Sequence, residues 1–149
     1  MRLATFLLAI LLAFPASAAS DLVVVGPSSH SVKQTLDRLT EMLAKKGITV
    51  FARVDHAAGA KKVGQELAPT ELLIFGNPKM GTPLMQANRH MGLELPMKVL
   101  AWQDDDGKVW LGYVRPETLK SRHAVTGKDE LFAKMAGALR KLTAAAAGL

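Results

Sequence analysis

The sequence predicts a single α+β domain: a mixed sheet of about five strands with helices packed on it. Three observations predict it. The chain has 149 residues, 49% hydrophobic and 21% charged, a length and composition that suit one compact domain. Short β-branched or apolar runs alternate with segments whose apolar residues recur at helical spacing. Late in the chain Asp-Gly stands between two apolar runs, the strongest hairpin signal present.

Residues 1–18 read as a secretory leader. Arg2 supplies the positive start, Leu3 to Phe14 the apolar run, and Ala16-Ser17-Ala18 the small-residue cleavage site after Pro15. The run is short for a membrane span, which needs about 20 residues. The expected product is periplasmic or secreted, with residues 19–149 as the domain and no stable membrane anchor. No cysteine follows the run, which excludes a lipid-anchored lipoprotein; the chain has none at all, which excludes disulfides, thiolate metal sites and a cysteine nucleophile. The formal net charge is +6, one charge of it Arg2. The basic residues are scattered, with no run beyond Lys45-Lys46 and Lys61-Lys62. A solvated surface is expected, and no nucleic-acid partner.

Leu22 to Val25 forms a first strand, closed by Gly26-Pro27. Ser31 and Gln34 make a capping box, behind which Val32, Leu36, Leu39 and Leu43 lie on one helical stripe ended by Gly47. Ile48 to Val54 is a second strand. Asp55 caps a second helix reaching about Leu67, with His56, Ala60, Val63 and Leu67 on its inward stripe. Leu72 to Phe75 is a third strand, and residues 76–81 a loop. Thr82 caps a short helix with Pro83 in its first turn. Met97 to Gln103 and Lys108 to Val114 form the hairpin. With a two- or four-residue turn, Leu100, Trp102, Val109, Leu111 and Tyr113 share the core face. Met97, Val99, Ala101 and Trp110 then share the other. Both faces are apolar, so a helix or a second subunit must cover the second one. A polar connection follows Pro116. The last helix starts near Lys128 with Leu131, Met135, Ala138 and Leu142 inward, and residues 144–149 fray.

Two segments carry candidate chemistry. His56, in the first turn of a helix and on its inward stripe, offers an imidazole able to bind a metal or haem, or to carry a proton. Gly76-Asn77-Pro78-Lys79-Met80-Gly81-Thr82-Pro83 offers backbone N–H groups, a cation and an amide around a helix start. It lacks P-loop and dinucleotide-fold spacing. A weaker third set is Met80, Met85, His90 and Met91, whose thioethers and imidazole suit Cu(I). Hydrolase elbows, paired-histidine zinc motifs and calcium-loop spacing are absent from the sequence.

Three ordered motifs, Phe51-Ala52-Arg53-Val54-Asp55-His56-Ala57-Ala58, Leu73-Ile74-Phe75-Gly76-Asn77-Pro78-Lys79-x-Gly81-Thr82-Pro83-Leu84-Met85 and Leu95-Pro96-x-Lys98-Val99-Leu100, resemble the bacterial family catalogued as domain of unknown function 302. The resemblance runs from about Ser29 to Tyr113. It implies a small α+β domain, often dimeric and sometimes exported, with no established reaction. Family-typical positions are Asp55, His56, Gly76, Asn77, Pro78, Gly81, Thr82, Leu95, Pro96 and Tyr113. The expectation is therefore an exported homodimeric domain binding a small ligand or partner. His56, Asn77 and Lys79 surround its pocket, Gly81 and Thr82 shape the rim, and Tyr113 closes it. Asp55, Gly76, Pro78 and Pro96 serve the local fold. The alternative is a metal- or haem-binding redox protein or enzyme using His56. No cofactor is specified.

Overall fold

The computed structural model describes residues 22–149; the expected leader lies outside the described residues. Five strands form one sheet in the order β1-β5-β4-β3-β2. They are β1 (Val23–Ser28), β2 (Thr49–Asp55), β3 (Thr70–Gly76), β4 (Met97–Gln103) and β5 (Val109–Val114). The helices are α1 (Val32–Lys45), α2 (His56–Lys62), α3 (Pro78–Ala87), α4 (Pro116–Arg122) and α5 (Asp129–Ala147), with a 3-10 turn at Arg89–Leu93. The single α+β domain holds as expected, but the sheet is antiparallel throughout, not mixed. The β1–α1–β2 crossover does run two strands in the same direction. It carries them to opposite edges, with three strands between, so no parallel pair is hydrogen-bonded.

Helix α1 follows the sequence closely. Ser31 Oγ accepts from the Gln34 N–H and the Gln34 side chain reaches back to the Ser31 N–H. Val32, Leu36, Leu39 and Leu43 are all buried. Gly47 leaves the helix at φ 63, a conformation that favours glycine. Strand β1 extends past the expected stop through Pro27, which is tolerated because β1 is an edge strand.

The hairpin departs from expectation by one residue. Trp102 pairs with Trp110 and Gln103 with Val109. Asp104 and Lys108 close the ladder, leaving a three-residue loop with Gly107 at φ 79. That is a type I turn ending in a left-handed residue, and its odd length reverses the faces expected from an even turn. Met97, Val99 and Ala101 therefore join Val109, Leu111 and Tyr113 on the core face, with Leu73 and Phe75 of β3. Helices α1 and α5 pack together over this face. Leu100, Trp102 and Trp110 turn to the other side, beside Val25, Leu72 and Ile74. The Trp102 ring lies over Gly112, within 3.1 Å of where a Cβ would stand.

Two further corrections concern the C-terminal third. The connection after Pro116 is helix α4, with Pro116 in its first turn, Glu117 near its start and Lys120 and Arg122 in its last turn. The tail does not fray before Ala147: Arg38 donates to the Ala145 and Ala146 carbonyls at 3.0 and 3.1 Å, and Ser29 N–H to the Ala147 carbonyl at 2.9 Å. These donors satisfy carbonyls that a helix end leaves open.

Candidate ligand pocket

Helix α3 starts five residues earlier than expected. Asn77, not Thr82, is its cap: Asn77 Oδ1 accepts from the Lys79 N–H at 2.9 Å, and Pro78 occupies the first turn, where its missing N–H costs nothing. Thr82 and Pro83 consequently lie inside the helix. Leu84, beneath it, is fully buried.

Between α3, the start of β4 and α5 lies a cavity of about 210 Å³. Gly76, Asn77, Pro78, Gly81 and Thr82 form one wall, and Leu95, Pro96 and Met97 a second. Met135, Ala138, Leu139 and Leu142 of α5 form the third, and Phe51 from the β2 bulge stands at its edge. Phe51, Pro78 and Thr82 are exposed, so the cavity opens to solvent. Met80 and Met85 complete the α3 side. No charged side chain lines it; Asn77 and Thr82 carry its polar side-chain groups. The Leu95–Pro96 peptide is cis.

The structure gathers part of the predicted site and separates the rest. Gly76, Asn77, Pro78, Gly81, Thr82 and Pro96 meet at the cavity. Lys79 sits in the same turn but is exposed and lines none of it. His56 is elsewhere. Thr49 pairs with Gly76 but Asp55 with Glu71, so His56 follows the opposite end of β2, roughly 17 Å from Gly76 by the strand rise. It is exposed, as are Val63 and Leu67, and α2 buries none of its residues. The inward stripe expected there fails because α2 ends at Lys62, with Gly64 at φ 72, before a second buried turn can form. Asp55 does cap α2, accepting from the Ala58 N–H at 2.8 Å. Tyr113 is buried on the core face, where burial pushes its phenol up and Arg140 and Arg115 oppose that; it does not close the cavity.

The Met80, Met85, His90, Met91 set also divides. His90 is exposed and Met91 is fully buried outside the lining. Met80 and Met85 line the cavity, joined by Met97 and Met135. Among the described residues no group of three or more His, Asp or Glu is placed to hold a metal ion. Sequence reasoning misses the contribution of α5, because Met135, Ala138 and Leu142 read equally well as a core stripe.

Ion pairs brace the surroundings. Glu94, after the 3-10 turn, accepts from Arg122 at 2.8 Å and pairs with His123 Nε2 at 3.0 Å. The hydrogen bond from His123, and then that from Arg122, hold its carboxyl below the usual range against the opposing effect of burial. Asn88 Nδ2 donates to the His123 carbonyl at 2.8 Å, so the α3 segment is tied to the end of α4. On the other side Arg53 bridges Asp37 and Glu71, both at 2.5 Å, fastening α1 to β2 and β3.

Residues 25–142 match the family model described as "Domain of unknown function DUF302". The chain belongs to this family. The fold agrees: the crystal structure of an uncharacterized conserved DUF302 protein from Bacillus stearothermophilus superposes with a TM-score of 0.72 at 22% identity, covering 85% of this chain and 96% of that one. Among curated proteins, the chain is 52% identical over 106 residues to the fluoride-specific ion channel FluC 1 of Brucella suis biovar 1 (strain 1330). The match takes in 71% of this chain and 41% of that protein. The FluC 1 protein of Brucella abortus biovar 1 (strain 9-941) matches at the same identity over 39% of its length. The chain thus spans about two-fifths of the curated relatives it matches. No helix among the described residues is long and apolar enough to cross a membrane.

Proposed function

We propose that this DUF302 domain is an exported binding module whose site is the cavity between α3 and α5, and that it takes a small guest with no hydrogen-bonding demands of its own. The observation that carries this reading is a solvent-open volume of about 210 Å³ walled by hydrocarbon and thioether, with two polar side chains among its lining. Ligand sites are typically apolar with few orienting polar groups, and a dry cavity of about 150 Å³ already holds a benzene-sized guest. Thr82 is the one hydroxyl among the lining side chains, with no acid or base beside it, so binding is favoured over catalysis. Bare fluoride does not suit this cavity: no cation lines it, and one amide and one hydroxyl are few donors to replace the hydration of a small anion. In the longer Brucella channel proteins the domain would act beside the channel, not as its fluoride site.

The test uses the purified mature chain and an environment-sensitive apolar fluorophore. A single saturable site is expected, lost at least tenfold in Ala138→Phe, which fills the cavity from α5, with circular dichroism unchanged. Undiminished probe binding by that variant would overturn the reading. Mass spectrometry of what co-purifies from the export compartment would then name the guest.

A second reading concerns the sheet face turned away from α1 and α5. Leu100, Trp102 and Trp110 stand at its middle, and Val25 at its edge is 50% exposed. Lys98, on the same face, is engaged by the Glu94 and Pro96 carbonyls. Five strands by six residues give a face of roughly 480 Å² by ordinary sheet spacings. Two such faces bury about 1,000 Å², the lower bound for a specific interface. This supports a homodimer through that face. Sedimentation as a monomer at about 50 µM, a concentration chosen for a weak dimer, counts against it; a dimer abolished by Leu100→Lys supports it.

A further inference from the structure

We infer that the cavity holds a soft monovalent cation, Cu(I) in the cell, bound by the thioether sulfurs of Met80, Met85, Met97 and Met135. The inference rests on the reading that the cavity is a binding site, and it names the class of guest. After Met1 the chain has six methionines, and four of them border this one volume. They arrive from three separate elements: Met80 and Met85 from α3, Met97 from the start of β4 and Met135 from α5. Methionine in a core normally fills irregular gaps. Met91 does so, being fully buried. The other four edge a space and leave it open.

Ligand chemistry selects the occupant. Thioethers are soft and neutral, and among biological cations they favour Cu(I) over the hard or borderline ions that need carboxylate or imidazole. No carboxylate, imidazole or thiolate lines the cavity. Desolvating one positive charge is less costly than desolvating two, which also argues for a monovalent ion. Asn77 in the lining offers an amide, and its oxygen is already engaged by the Lys79 N–H. The absence of cysteine fits the same chemistry: in an oxidising compartment thiols cross-link, whereas thioethers remain available as ligands.

The test uses Ag(I), a redox-silent probe of the same softness, with the full mature chain. Native mass spectrometry should show one Ag(I) per chain, and Zn(II) should not bind. With methyl-labelled methionine, the ε-methyl signals of Met80, Met85, Met97 and Met135 should move while that of Met42 stays. Met→Leu changes keep volume and remove sulfur. M80L, M85L, M97L and M135L should each weaken Ag(I) binding at least tenfold while the apolar fluorophore still binds; M42L should leave both intact. Fluorophore binding without Ag(I) binding would overturn this inference and leave the binding-site reading standing. Ag(I) held equally by the Met→Leu variants would place the ion elsewhere and overturn it too. Failure of both probes would remove both readings.

Discussion

Residues 55–69 and 76–97 both carry family-typical residues, and both start a helix from a side-chain cap: Asp55 on the Ala58 N–H and Asn77 on the Lys79 N–H. Their fates differ. Helix α2 stands on the surface with nothing buried, whereas α3 lays Leu84 into the core and walls a cavity. A cap fixes where a helix begins; it does not determine whether the helix meets the core. The residues beyond the first turns decide that. Gly64 turns the first segment back to β3 after two helical turns. The second segment continues through the 3-10 turn and is tied down by Glu94 and Asn88 to α4. Similar local sequence signals therefore yield a solvent-facing knuckle in one case and a cavity wall in the other.

The largest contrast is in stability. Leu84→Ala removes a fully buried side chain under α3 and should cost about 2–5 kcal/mol, as large-to-small core changes do. Leu67→Ala and His56→Ala, on exposed positions, should stay within about 0.5 kcal/mol of the parent. Urea denaturation compares the three directly. If His56→Ala costs as much as Leu84→Ala, the segments do not differ as described. The caps give a smaller, sharper contrast. Losing a side-chain cap costs about 0.5–2 kcal/mol where the helix is coupled to the core. Asn77→Ala should show that loss in the global unfolding midpoint. Asp55→Ala should show faster amide exchange confined to residues 56–62, with the midpoint little changed.

Acid should loosen the second segment. The His123 and Arg122 hydrogen bonds depress the Glu94 carboxyl, so their stabilisation is fully present above the ordinary carboxylate pKa and is lost as pH falls through the depressed value. Between neutral pH and about 4.3, the ordinary glutamate value, the Glu94 contribution should hold; below it, stability should fall more steeply than in Glu94→Gln. Parallel acid profiles for parent and variant would refute the clasp.

The legible features are those set by local chemistry. The capping box at Ser31, the α1 stripe, the existence of all five strands and the Asp-Gly turn are short-range signals, and each appears where expected. The faces of the hairpin are not legible, because they depend on whether the turn holds an even or odd number of residues. Asp104-Asp105-Asp106-Gly107-Lys108 accommodates either, and one residue reverses every side chain. The antiparallel sheet is equally hidden: a strand–helix–strand order does not say how many strands are later inserted between. At the candidate site the Gly76–Thr82 turn is readable from its residues. The α5 wall is not, since Met135 and Ala138 look alike whether they fill a core or edge a cavity. Periodicity misplaces His56, because it assigns a face to a helix but cannot ensure that anything packs against it.

The smallest predicted change tests the wall itself. Gly81 lies within α3, where glycine is less favourable than alanine by about 0.5–1 kcal/mol. A Cβ there would meet Leu95 Cδ1 at 3.5 Å and Met85 Cε at 3.9 Å, ordinary contacts that demand no rearrangement. Gly81→Ala should therefore raise stability by about 0.5–1 kcal/mol, visible as a shifted urea midpoint with unchanged slope. The same methyl narrows the cavity that Gly81 lines, so affinity for the apolar fluorophore should fall. The two effects have opposite signs because the helix favours a side chain at this position while the open volume beside it is smaller with one. A destabilised Gly81→Ala would mean that Met85 and Leu95 already close on the glycine, leaving α3 packed like the rest of the core and removing its difference from an ordinary buried helix.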